Sequence, residues 1–373
     1  MYKIPFSFLS LLLCLFAAMH LMIAQAKSND ETAVKKNIQS EKNKPSKSAK
    51  SNKESQTSKV IKIVGAEDRS KKRMKSPKNN REVRTTVMPR NRVAEPAPSR
   101  VSKGTALGLS KKSDELNLKS NASIVVEQQN QRVIFDKNSQ IVLPIASITK
   151  LLTAMIVLDA KLPLDEELEI NDEDAAIYHH SRLIKGTTLT RREALLLALM
   201  SSENRAAYTL GRNYPGGITA FMVALNMKAK EIGMKNSSFS DPTGLTSKNV
   251  ATAEDLAIMI QAAYQYPLIK QFTTTPSHVK EINRREQTFL NSNRLVRSGD
   301  MEILIQKTGY ISEAGRCLVL MATINNKVFT MVFLDSMGSQ SRFADAVRVK
   351  EWVESSDEYP ALRQLTSVKP VIN

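Results

Sequence analysis

The chain has 373 residues, enough for one or two ordinary domains, and a formal net charge of +17. The charge is concentrated: residues 27–103 hold 22 Lys and Arg against 8 Asp and Glu, a balance of +14, which leaves residues 104–373 nearly neutral once Lys3 is set aside. The basic stretch contains no Phe, Tyr or Trp, so it lacks the interleaved aromatic platforms of a single-stranded nucleic-acid binder.

The first 26 residues read as a secretory signal peptide. Lys3 supplies a positive n-region, Ile4 to Ile23 is almost wholly apolar, and Ala24-Gln25-Ala26 offers a small-x-small cleavage site. An uncleaved anchor is the alternative, because the apolar run is about long enough to span a bilayer. Either way the remainder is expected outside the cytoplasm, periplasmic in a bacterial envelope, with peripheral association to membrane or wall. Cys14 follows Leu13 inside the apolar run and does not fit lipid attachment; removal of the leader leaves Cys317 as the one cysteine, so no intrachain disulfide is expected.

Residues 27–120 read as a basic, largely disordered tail rich in Lys, Ser, Asn and Pro. Such a segment buries too little apolar surface to offset chain entropy. Val60-Ile61-Lys62-Ile63-Val64 is its one short apolar exception. Its partners by charge are anionic lipid headgroups or acidic envelope polymers, not nucleic acid; a solvated tether is the ordinary alternative.

Regular patterning starts near Asn121. Ser123–Glu127 and Arg132–Asp136 read as strands around a polar turn, Gln128–Gln131. After Pro144 an apolar helix is expected from Ser147 to Leu158. Further helices are expected at Arg191–Met200, at Gly216–Gly233 with Gly233 as the cap, and from the Thr252-Ala253-Glu254-Asp255 start to about Tyr264. Strands return at Ile303–Lys307, Arg316–Ile324 and Val328–Leu334, with a turn at Asn325-Asn326-Lys327, and a last helix runs from Arg342 to Glu354. Cys317 falls within a buried-strand pattern and reads as a core residue. Strands at both ends and helices between predict an α+β domain over 121–356, followed by a short extension, 357–373. An antiparallel sheet built from both termini of the domain would be covered by helices, with a helical subdomain inserted.

Three short motifs carry chemistry. In Ser147-Ile148-Thr149-Lys150 the hydroxyl and the amine sit one helical turn apart on one face, so a desolvated Lys150 can serve as base to a Ser147 nucleophile. Free backbone N–H groups at the helix start can stabilise an oxyanion. Ser202-Glu203-Asn204 follows a buried helix and adds a hydroxyl that can relay a proton and an amide that can hold substrate. Lys307-Thr308-Gly309 puts a cation and a hydroxyl on a strand edge where an extended peptide can pair, with Gly309 leaving room. Singly these motifs are common: Ser277-His278-Val279-Lys280 repeats the first pattern and Ser247-Lys248-Asn249 the second. Context separates them, since Ser277 leads into a charged, non-periodic stretch and Ser247 lies in a polar loop. The ordinary alternative for Ser147 is a helix cap beside a solvated Lys150.

Taken in order, the three motifs resemble those of the penicillin-binding proteins and serine β-lactamases. Wider stretches are similar to the D-alanyl-D-alanine endopeptidases of the penicillin-binding protein 7 type. These are Ala146–Met155, Leu195–Ala207, Asp241-Pro242-Thr243-Gly244-Leu245, Gln306–Tyr310 and Arg342-Phe343-Ala344-Asp345-Ala346, and the likeness covers about Asn121 to Glu354 without the tail. The resemblance implies a β-lactamase/D,D-peptidase-like fold in which Ser147 attacks a D-Ala carbonyl of peptidoglycan stem peptide and Lys150 takes its proton. Ser202 would pass the proton toward the leaving amine, Asn204 would hold substrate and Lys150, and Lys307 with Thr308 would bind a substrate carboxylate beside Gly309. The backbone N–H groups of Ser147 and Tyr310 would form the oxyanion hole. β-Lactam antibiotics would acylate Ser147 as covalent inhibitors, with no metal or organic cofactor needed.

Glu203 stands where many relatives carry Gly, a variant that fits the endopeptidase branch. The chain stops soon after Trp352, which favours endopeptidase over the carboxypeptidases with a second domain and anchor helix. A serine β-lactamase, which needs a positioned carboxylate for water, and a non-catalytic wall-binding protein are the other readings. A catalytic metal is not expected: His179, His180 and His278 form no ligand pattern.

Overall fold

The computed structural model describes residues 101–178 and 180–356. The expected leader, the tail up to residue 100, the extension 357–373 and His179 lie outside the described residues.

The folded chain starts earlier than composition indicates. Residues 101–119, grouped with the tail because regular patterning starts near Asn121, form a short helix α1 (Lys103–Ala106) capped by Ser102 and a 3-10 turn at Leu109–Lys111. Tertiary partners hold them. Ser102 Oγ donates to Asp335 at 2.8 Å, Lys103 N–H donates to the Glu313 carbonyl at 2.9 Å, and a buried Lys137–Asp114 pair closes at 2.7 Å. Composition averages over such pairs, because each partner lies far away in sequence.

Strands β1 (Ser120–Glu127) and β2 (Arg132–Lys137) follow as expected, then a two-residue β3 (Leu143–Pro144). The helix expected from Ser147 begins with a 3-10 turn, Ala146–Thr149, and becomes α-helical as α2 (Lys150–Asp159). A helical region then runs through α3 (Asp172–Ile177), α4 (Arg191–Met200), α5 (Asn204–Arg212), α6 (Gly217–Glu231), α7 (Ala253–Ala263) and α8 (Pro267–Thr274). Short strands β4 (Glu167–Glu169) and β5 (Thr188–Thr190) pair within it, and β6 (Val250–Ala251) pairs with β3. An exposed hairpin, β7 (Ser277–Ile282) and β8 (Arg285–Leu290), takes up the stretch read as non-periodic. After α9 (Arg294–Ser298) come β9 (Glu302–Ile311), β10 (Gly315–Ile324), β11 (Lys327–Ser336) and α10 (Ser341–Ser355).

The main sheet has the order β2-β1-β11-β10-β9 and is antiparallel throughout, so the first and last long strands of the domain meet at Val125↔Met331. Asn325 and Asn326, with φ of 48° and 61°, make the tight turn that suits the twist of β10 and β11. One sheet face presents Val125, Leu318, Leu320, Phe329 and Phe333 to Phe343, Ala346, Val349 and Val353 of α10. The other presents Ile124, Val319, Met321 and Val332 to the helical region, including Leu152 and Met155 of α2 and Leu256 and Met259 of α7. Helix α2 is therefore enclosed, with every residue from Lys150 to Val157 buried. Cys317 is buried on β10, and burial pushes its thiol up to about 12, as befits a core residue. Among the described residues no helix is long and apolar enough to cross a membrane.

Candidate active site

Three segments separated by up to 160 positions converge at the mouth between α2, the α4–α5 joint and the edge strand β9. Ser147 is half-buried in the 3-10 turn, and Lys150 opens α2 one turn later, with Nζ 2.8 Å from Ser147 Oγ. The same nitrogen lies 2.7 Å from Asn204 Oδ1 and 2.7 Å from the Thr243 carbonyl oxygen. Ser202 lies between α4 and α5, and Lys307 Nζ reaches its Oγ at 2.9 Å and the Thr308 carbonyl at 2.9 Å. Thr308 Oγ1 donates to Ser292 Oγ at 2.7 Å. Gly309 brings β9 against the Ser147 turn: a Cβ there would sit 2.7 Å from the Ile145 carbonyl and 3.2 Å from Ser147 N. Tyr310 is the next residue along and is about half exposed. The strand runs two residues beyond the motif expected to end it.

The electrostatics follow from enclosure. Lys150 is buried, and desolvation draws its ammonium down to about 7 despite the carboxylates of Asp241 and Glu203, which pull the other way. Lys307 is also fully buried; desolvation first, then the charges of Lys150 and Arg342, hold it well below the ordinary lysine range. A neutral lysine amine has two N–H groups. At Lys150 the Asn204 and Thr243 oxygens, which only accept, occupy both and aim the lone pair at the Ser147 hydroxyl. The arrangement can thus deprotonate a serine near neutral pH. It also carries strain, since Ala146 and Ser202 adopt φ of 49° and 64°, the left-handed region costing about 1 kcal/mol or more for a residue with a Cβ.

The structure brings together every residue singled out from the three motifs. It also supplies partners that the motifs do not mention. Asp241 accepts from the N–H groups of Thr243 (2.6 Å), Gly244 (2.7 Å) and Thr246 (3.1 Å), folding the loop that aims the Thr243 carbonyl at Lys150. Gly244, at φ 82°, lies so close to the Ala146 carbonyl that no side chain fits. Asn249, part of the second motif's decoy, is buried and ties the loop to α2's approach: its Nδ2 donates to Thr149 Oγ1 at 3.0 Å and to the Asp241 carbonyl at 2.8 Å. The run of Asp, Pro, Thr and Gly at 241–244 was the available signal for these residues, because it specifies a turn with a mechanism of its own. By contrast, the Ser277 and Lys280 decoy sits on β7, where Lys280 pairs with Glu193 at 2.9 Å. Among the described residues no group of three or more His, Cys, Asp or Glu could hold a metal ion.

A buried lysine against a serine, with a second serine–lysine pair across the cleft and an antiparallel sheet behind them, defines a serine hydrolase of the penicillin-binding class. A family model described as D-alanyl-D-alanine carboxypeptidase, Peptidase S11, matches residues 109–338. The chain is 46% identical over 242 residues to the D-alanyl-D-alanine endopeptidase of Pseudomonas aeruginosa, covering 64% of this chain and 78% of that one. It is 41% identical over 279 residues to the D-alanyl-D-alanine endopeptidase of Escherichia coli, covering 73% and 88%. Among solved structures, penicillin-binding protein D2 of Listeria monocytogenes in the ampicillin-bound form aligns with a TM-score of 0.56 at 28% identity, over 64% of this chain and 98% of that one. The Streptomyces K15 DD-transpeptidase aligns with a TM-score of 0.59 at 24% identity, over 63% and 97%, a likeness of fold. The chain belongs to the S11 peptidase family of D-alanyl-D-alanine peptidases, which are serine hydrolases.

Proposed function

We propose that this enzyme cleaves D-alanyl cross-links of peptidoglycan as an endopeptidase, through an acyl-enzyme on Ser147. The observation that carries the reading is the 2.8 Å approach of a desolvated Lys150 amine to the Ser147 hydroxyl. Lys150 takes the hydroxyl proton as Ser147 Oγ adds to the D-Ala carbonyl carbon, and the oxyanion is met by the backbone N–H groups of Ser147 and Tyr310. The tetrahedral adduct collapses, its C–N bond breaks, and Ser202 passes a proton to the leaving amine of the second peptide. Asn204 orients Lys150 and the substrate backbone, while Lys307, Thr308 and Gly309 receive the extended substrate along the β9 edge. Water then hydrolyses the ester. A β-lactam opens on Ser147 by the same attack, but its leaving amine stays tethered, so the adduct persists.

The endopeptidase names of the relatives at 46% and 41% identity support this reading over carboxypeptidase action. Glu203 offers little to a β-lactamase: Ser181 Oγ at 2.7 Å and Arg182 Nη2 at 3.1 Å already occupy its carboxylate. We further propose export to the periplasm through residues 1–26 and electrostatic attachment of residues 27–100 to anionic envelope polymers or lipids; salt-insensitive attachment to envelope fractions would sink the latter. The decisive experiment for the enzyme is a digest of purified sacculi by wild type and Ser147→Ala. Conversion of cross-linked dimers to monomers by wild type alone establishes the endopeptidase. Loss of terminal D-Ala alone makes it a carboxypeptidase.

A further inference from the structure

Glu203 is buried between the candidate catalytic Ser202 and the candidate substrate-holding Asn204, yet its carboxylate bonds to neither and reaches the 178–183 loop. One oxygen accepts from Ser181 Oγ at 2.7 Å and the other from Arg182 Nη2 at 3.1 Å. Ser181 Oγ also receives the N–H of Leu183 at 3.1 Å, so the carboxylate organises the loop and does not merely touch it. Arg182 carries the connection onward: Nη1 donates to the Thr288 carbonyl of β8 at 2.8 Å, and its guanidinium lies 4.1 Å over the Phe289 ring. From the first turn of α5, Arg205 holds the same loop by its carbonyls, at Tyr178 (3.0 Å) and Leu183 (2.7 Å). One acidic side chain thus joins three separately folded pieces: the joint that carries Ser202, the 178–183 loop and the β7–β8 hairpin.

We propose that Glu203 is a positioning residue that clamps this loop and hairpin to the Ser202 joint, fixing the cleft wall that receives the second peptide of a cross-linked substrate. This deepens the endopeptidase reading and rests on it. The side of the cleft follows from the chemistry: Ser202 serves the leaving amine, so the wall anchored at the next residue borders the leaving peptide. A small β-lactam has no second peptide and does not need that wall. The clamp also acts at a distance on Lys150, which faces the carboxylates of Glu203 and Asp241 and the amine of Lys307. Removing the Glu203 charge leaves Arg182 uncompensated and disfavours the Lys150 ammonium. Removing the Arg182 charge leaves Glu203 uncompensated and favours it.

The test uses the purified full chain as wild type, Glu203→Gln, Arg182→Gln and the double variant. Penicillin acylation is followed against pH, and cleavage of a purified muropeptide dimer against dimer concentration. Both single variants are expected to raise the dimer KM about tenfold, with penicillin acylation at its high-pH plateau changed by less than about threefold. The double variant should be no worse than either single one, because both break one connection. The acid limb of penicillin acylation should move to lower pH in Glu203→Gln and to higher pH in Arg182→Gln, opposite shifts that general loosening does not produce. Equal losses on penicillin and dimer, additive effects in the double variant, or limbs that move together would each overturn the clamp. Arg182 is partly exposed, so Arg182→Gln keeps the test readable should Glu203→Gln fold poorly. If wild type acylates but cleaves no dimer, the endopeptidase reading and the second-peptide wall fail together, while non-additive losses of melting temperature in the single and double variants still report whether Glu203 and Arg182 form one connection.

Discussion

The two faces of the central sheet are built from the same strands and do opposite work. Toward α10, Leu318, Leu320, Phe329 and Phe333 meet Phe343, Val349 and Val353 in an apolar layer whose only task is burial. Toward the helical region, the same strands carry Val319 and Cys317 beside Lys307 and Gly309, and two lysines are enclosed with no carboxylate in contact. Burying an amine without a counter-ion is expensive, and desolvation accordingly disfavours the charged form of both lysines, drawing Lys150 down to about 7. The apolar face supplies stability that lets the other face hold two desolvated amines, two left-handed residues and close backbone approaches.

Changes at the reactive pair should sharpen this contrast most. Ser147→Ala should abolish covalent penicillin labelling in intact-protein mass spectrometry, and Lys150→Met should slow acylation by about 10³-fold while the fold persists by circular dichroism. Next in size, Gly309→Val should lower acylation by roughly 100-fold, because its side chain cannot share the space with the Ile145 carbonyl and Ser147 N without moving the turn from β9.

Acidity gives an effect of about tenfold per pH unit. Burial depresses Lys150 to about 7, so the reactive neutral amine prevails above that value and is lost as pH falls through it. Penicillin acylation should therefore be half-maximal near pH 7 and decline on the acid side; a flat rate down to pH 5 would remove Lys150 as the base. Smaller still, Asn249→Ala should cost about 2–3 kcal/mol and slow acylation, since it frees the loop that aims the Thr243 carbonyl. Val349→Ala, on the apolar face, should cost roughly 1–3 kcal/mol by thermal melting and leave acylation at 25 °C unchanged. Loss of activity in folded Val349→Ala would break the division between the faces.

Much of the molecule was legible in advance. The β-rich apolar runs at 123–127, 316–324 and 328–334, the apolar helical run at 191–200 and the capped helix start at Thr252 report local structure and burial directly, and those elements formed where expected. The apolar stretch that follows Ser147 and Lys150 singled them out from Ser277 and Lys280, which share their spacing. Less visible were the β7–β8 hairpin and the folded stretch 101–119. Their strand or helix character depends on partners such as Glu193 for Lys280 and Lys137 for Asp114, far off in the chain. The turn signal at 241–244 marks a bend, but the roles of Asp241, Thr243 and Asn249 depend on where that bend points, and a carbonyl aimed at an amine leaves no trace in local sequence.

The amino-acid order alone determined which segments could be strands or helices and which three motifs could carry chemistry, because those properties depend on neighbours within a turn or a pleat. Tertiary structure alone decided how far burial draws down the Lys150 ammonium, that Glu203 bonds to the loop at Ser181 and Arg182, and that Ser102 and Lys103 are already tied into the domain. Desolvation and hydrogen-bond partnership are set by what lies within a few ångströms in space, and most of those neighbours are distant along the chain.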